Sequence, residues 1–125
     1  MSFVTRQRAE QPDVLAPDGS EVRILAATAR GSMAQFTLPP GAVSKAVAHR
    51  SVEEVWLVLR GTGRMWRKLG TAEETVALAP GVSLAIPVGA CFQFRNDGDE
   101  PLDCAGVTMP PWPGMDEAYE VDGIW

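Results

Sequence analysis

The stretch GAVSKAVAHRSVEEVWLVLRGTG, residues 41–63, decides how this chain is read. It follows a Pro-Pro-Gly turn at Pro39, Pro40 and Gly41, through which neither a helix nor a central strand can run. His49 then stands five residues before Glu54, and the run Val55 to Leu59 reads as a strand that stops at Gly61. His49 is the one histidine in 125 residues, so any chemistry that needs an imidazole must use it.

Working outward, the same grammar repeats. Asp18-Gly19-Ser20 reads as a turn feeding a strand over residues 21–27, and Gly31 separates it from a second over 32–38. In that second strand Met33, Gln35 and Thr37 share one face, and Ala34, Phe36 and Leu38 the other. Further strands are expected at 43–48, 55–59, 64–68, 74–78, 83–87, 91–96 and 102–109. Asn96-Asp97-Gly98-Asp99-Glu100 is the strongest turn signal, and Pro110, Pro111 and Pro113 exclude regular structure at the start of the tail. No segment supports a helix of more than about two turns. Short strands with Gly and Pro turns between them predict an all-β sandwich or barrel.

Composition narrows the class. The length suits one domain, 46% apolar residues suit a folded one, and a net charge of -5 with scattered basic residues argues against nucleic acid. No apolar run approaches a membrane span, and MSFVTRQRAE lacks the apolar region of a secretory signal. Cys91 and Cys104 have no metal-finger spacing and read as reduced thiols, so a cytoplasmic protein is expected.

These residues resemble the cupin superfamily in its small, single-domain form. The first cupin motif runs Gly, His, His, Glu, Gly, and it falls here on Gly41, Val47, His49, Glu54 and Gly61. The second runs Gly, Pro, Gly, His, Asn, and it falls on Gly81, Pro87, Gly89, Phe92 and Asn96. The resemblance implies a cupin-type double-stranded β-helix, a jelly-roll barrel. It would occupy residues 1–125 as one domain, with a core at about 21–109, an N-terminal arm 1–20 and a tail 110–125. Metal-bearing cupins hold a divalent ion on three histidines and a glutamate. This chain keeps His49 and Glu54 and has Val47 and Phe92 at the other two positions, neither of which offers a lone pair. No cofactor is therefore expected, with a weak divalent metal on His49 and Glu54 as the alternative, and Cys104 as the one soft donor able to join it.

The expected site is a His49–Glu54 acid–base pair in a barrel cavity lined by Trp56, Phe92, Val47 and Phe94, with Gln35, Met33 and Cys104 as further candidates. A carboxylate beside the imidazole is expected to raise its pKa. Trp56 shares the face of Glu54, two residues on. Core packing is the plainer reading of each aromatic, and a buried histidine satisfied by Glu54 is the plainer reading of the pair. Trp112, in the Pro-rich tail, could lie at an interface or cover the barrel end. Three functions remain open: a metal-independent isomerase, cyclase or lyase, a metal-dependent oxygenase or isomerase, and a non-enzymatic binder or sensor. The partner is a small, partly apolar organic molecule. Apolar Phe3, Val4 and Trp125 at the ends, with sheet edges to protect, point to a homodimer.

Overall fold

The computed structural model describes residues 3–125. Among these residues eleven strands and one turn of 3-10 helix, Met115–Glu117, make up the regular structure. In chain order the strands are β1 (Val14–Leu15), β2 (Glu21–Ala27), β3 (Ser32–Leu38), β4 (Val47–His49), β5 (Glu53–Arg60), β6 (Gly63–Leu69), β7 (Ala72–Leu78), β8 (Ser83–Ile86), β9 (Cys91–Asn96), β10 (Leu102–Met109) and β11 (Ala118–Glu120). They form two antiparallel sheets, ordered β1-β2-β3-β10-β5-β8 and β11-β4-β9-β6-β7. Neither sheet closes on itself. No helix among the described residues is long and apolar enough to cross a membrane.

The two sheets meet through strands whose side chains alternate. On β5, Glu54, Trp56 and Val58 are buried while Glu53, Val55, Leu57 and Leu59 are exposed. Leu102 and Cys104 on β10 and Phe92 and Phe94 on β9 fill the space between the sheets, with Met65 and Leu38 beside them. A period of two with one wet face is what an antiparallel sandwich imposes.

Two turns show why the sequence punctuation works. Gly61 has φ +86°, and a Cβ there would lie 2.5 Å from the carbonyl oxygen of Pro101, so the reversal after β5 accepts only glycine. Asn96 is buried, donates to the carbonyls of Leu38 and Glu100 at 2.9 and 2.8 Å, and accepts from the amide of Gly98 at 2.9 Å. One side chain thereby ties the 96–100 turn to β3.

Two expectations need correction. The strand expected at 43–48 is regular only from Val47, because Ser44 spends its polar groups elsewhere: its hydroxyl accepts from the Phe94 amide and its carbonyl from Gln93 Nε2. Only an isolated bridge joins Val43 to Arg95. The chain ends are also more ordered than their composition suggests. β1 pairs with β2, and β11 pairs with β4 in the register Ala118 opposite His49.

Gly106 on β10 makes room for the stacked rings of Phe36 and Trp56, whose centroids are 4.8 Å apart. A Cβ at Gly106 would come within 2.6 Å of Phe36 and 3.0 Å of Trp56. Gly106→Ala is therefore expected to lower stability by about 1–3 kcal/mol, read as an earlier urea midpoint and a changed tryptophan emission. An unchanged midpoint would mean that the two rings can part freely.

Candidate functional site

A cavity of about 340 Å³ opens between the sheets at the end bounded by β1, β2, β3 and the C-terminal tail. Its rim is apolar and wet, with Val14, Ile24, Met33 and Met115 all exposed. Its floor is polar, and His49 and Glu54, each 4% exposed, lie there.

Each floor residue is held by its strand. β4 brings Val47 and His49 to the same face, and β5 brings Glu54 and Trp56 to the facing sheet. The indole N–H of Trp56 donates to Glu54 Oε2, which fixes the carboxyl. Glu54 Oε1 lies 3.2 Å from His49 Nδ1, close but out of line for a hydrogen bond, so Nδ1 is sealed from solvent without a partner. Phe92 and Trp112 contact the imidazole edge to face at 5.2 and 5.3 Å.

The sequence-based candidates separate. Val47, His49, Glu54, Trp56, Phe92 and Met33 line the cavity. Phe94 lies behind it, edge-on to Trp56 at 5.1 Å. Cys104 is wholly buried in the core away from the cavity, and burial, helped by the charge of Asp103, pushes its thiol up to about 12. It does not line the cavity that holds His49 and Glu54. Gln35 faces the outer side of β3, where its side-chain oxygen accepts from Arg8 Nη1 at 3.0 Å.

Two groups in and around the site carried no functional signal in the sequence. Asp18, read only as a turn residue, lines the cavity and is buried. Its Oδ1 accepts from the amide and hydroxyl of Ser20 at 2.9 and 2.7 Å, yet burial outweighs these bonds and raises its pKa. Glu117, in the tail, accepts from the Ser51 hydroxyl and from the amides of Ser51 and Val52, pinning the tail to the loop that joins His49 to β5. Burial pushes its carboxyl up, but these bonds win and hold it below the usual range. Trp112 does cover the cavity, and its amide donates to Ser32 Oγ at 2.9 Å.

The electrostatics differ from expectation. Burial draws His49 down to about 4 against an upward pull from Glu117, so desolvation beats the neighbouring carboxyl. Burial also lifts Glu54 to about 7, opposed by the bond from Trp56 and reinforced by the charge of Asp18. At neutral pH the floor thus presents a neutral imidazole beside a carboxyl poised to gain or lose a proton.

The family-level comparison agrees with this architecture. A cupin domain model matches residues 34–108. The chain belongs to the cupin family. The xanthan biosynthesis protein XanB of Xanthomonas campestris pv. campestris is 30% identical over 96 residues, covering 77% of this cupin and 20% of that protein. This cupin therefore spans about a fifth of the curated relatives it matches. Among solved structures, oxalate decarboxylase of Bacillus subtilis, studied for its Mn(II) centres, overlays with a TM-score of 0.74 at 19% identity, covering 90% of this chain and 30% of that one. The protein TT1209 of Thermus thermophilus overlays at 0.61 with 26% identity, covering 74% and 85%.

The donor set of this cupin does not fit the family's metal. Val47 and Phe92 occupy the two remaining ligand positions and are directly opposed across β4 and β9. Glu54 Oε2 is taken by Trp56, and among the described residues no group of three or more His, Cys, Asp or Glu is arranged to hold an ion.

Because Glu54 binds its proton more tightly when folded, its contribution to stability is complete below about 4.5 and is lost as pH rises towards 7. The loss is on the order of 3 kcal/mol. His49, with a lowered pKa, contributes above about 6.5 and loses that contribution as pH falls towards 4. Glu54→Gln keeps an acceptor for Trp56 and is expected to flatten the decline in urea-unfolding stability between pH 4.5 and 7. An equally steep decline in the variant would place the titrating group elsewhere.

Proposed function

We propose that this cupin binds a small, partly apolar organic molecule and moves a proton on it with His49 and Glu54, without a tightly held metal. The observation that carries the reading is the pair itself, an unpartnered Nδ1 3.2 Å from Oε1 on the floor of an otherwise apolar cavity. An acid near pH 7 beside a neutral imidazole suits general acid–base chemistry of the isomerase, cyclase or lyase kind. Glu54 would hold the proton at Oε1, and Trp56 keeps the other oxygen in place. The aromatic walls exclude water and strengthen each polar contact that a ligand makes with the floor. The relative named for xanthan biosynthesis raises a sugar as ligand. An apolar lining gives a polyhydroxylated molecule too few partners, which favours a less polar compound.

The jelly-roll winding, one domain over 1–125 and a cytoplasmic site of action belong to the same reading. The order β3-β10-β5-β8 facing β4-β9-β6-β7 supports the first, and the free thiols Cys91 and Cys104 support the last.

The test is protein purified without a metal-binding tag and dialysed against a chelator, followed by metal analysis and mass spectrometry of extracted small molecules. A co-purifying organic molecule that is lost from His49→Ala is expected, with metal well below stoichiometric. Stoichiometric manganese, iron or zinc retained with His49 as a ligand would overturn the reading.

We also propose a homodimer. Val55, Leu57 and Leu59 form an exposed apolar row on the outer face of β5, and Phe3 is 93% exposed. Trp125 lies against Arg64 and Arg95 of its own chain, so it is not part of that surface. Sedimentation at micromolar concentration is expected to give twice the chain mass, reverting to a monomer in Leu57→Glu. A monomer in the unaltered protein would end this proposal.

A further inference from the structure

We infer that the ligand of this cavity is an organic cation, an ammonium group carried on an apolar body. The inference rests on the binding site proposed above and adds the sign of the charge that the site selects.

The charge inventory is one-sided. Among the described residues two carboxyl side chains, Asp18 from the β1–β2 turn and Glu54 from β5, line the cavity, and no lysine or arginine does. The remaining titratable group on its wall, His49, is held neutral by burial. Glu117 acts on His49 from the tail but spends its oxygens on Ser51 and Val52. The carboxyls are therefore buried without a cationic side chain among the described residues, an arrangement that costs free energy unless a partner arrives.

Each carboxyl also keeps one oxygen in reserve. Asp18 Oδ1 is engaged by Ser20 and Glu54 Oε2 by Trp56, while Asp18 Oδ2 and Glu54 Oε1 accept no hydrogen bond. Neither free oxygen is among the sealed, unpartnered atoms of the described residues, and both residues line the cavity. His49 Nδ1, beside Oε1, is sealed from solvent and so adds no contact for a ligand. Two carboxyl oxygens without a matching donor call for a ligand that brings N–H groups.

The walls point the same way. Phe36, Trp56, Phe92 and Trp112 surround the cavity with ring faces and edges. An ammonium group is drawn to aromatic faces by their negative quadrupole, and the attraction grows where water is excluded. An anion would meet both the carboxyls and those faces unfavourably. A neutral alcohol would leave the carboxyls uncompensated.

The test compares three isosteric probes, benzylamine, benzyl alcohol and benzoate, by calorimetry and by chemical shifts of the Trp56 indole and His49 ring. Benzylammonium is expected to bind at least about tenfold more tightly than the alcohol, with benzoate not binding. Asp18→Asn and Glu54→Gln should each weaken benzylammonium about tenfold while changing the alcohol little. Affinity should also rise as pH climbs through 7 and Glu54 yields its proton. Equal binding of the amine and the alcohol inside the cavity, or tighter binding of benzoate, would overturn the cation while leaving the binding site intact. If no probe perturbs Trp56 or His49, the binding site itself is wrong and the cation falls with it. The three-probe comparison on the unaltered protein decides the matter even where a variant fails to fold.

Discussion

Glu54 can be buried because Trp56 is two residues further along the same strand. The strand period puts both on the inner face of β5, and the indole N–H satisfies one carboxyl oxygen where no water can reach it. Without that donor the carboxyl would face a hydrocarbon wall with both oxygens bare, at a cost of several kcal/mol. With it, one oxygen is fixed and the other is presented to the cavity. The site's remaining features, an imidazole held neutral and a carboxyl lifted to about 7, follow from placing polar groups at this depth.

The two apolar residues at the remaining ligand positions act as a unit. Val47 and Phe92 are paired across β4 and β9, so they form one apolar patch where two imidazoles would converge. Phe92 meets His49 and Trp56 edge-on and closes that wall. Restoring one histidine beside His49 and Glu54 would give three donors, and restoring both would give the family's four. The fold is shared with proteins that do carry metal, which separates what the scaffold provides from what four side chains provide.

Much of this was legible in the sequence, for identifiable reasons. β2, β3, β9 and β10 begin and end where turn chemistry and alternation place them. β1 and β11, at two and three residues, are too short to show a period and exist only through their partners. Asp18 is silent in the sequence because it sits in a clear turn signal, and turns normally face water. Here the hairpin folds inward, and nothing local to Asp-Gly-Ser records that. Gln35 shares its parity with Met33, yet Met33 reaches the rim while Gln35 lies under the N-terminal arm. The pKa of His49 moves down rather than up because pairing is visible in a motif and depth of burial is not.

The tail changes what counts as the working unit. The span recognisable as cupin, residues 34–108, excludes Asp18, Trp112 and Glu117. It would leave β4 with β9 as its one neighbour, and the loop after His49 with two bare amides where Glu117 now binds. A domain excised at those boundaries would keep the family signature and lose one wall, one carboxyl and the anchor of its histidine. Selection acting on ligand choice can thus work through the flanks, at positions where the family pattern imposes no demand.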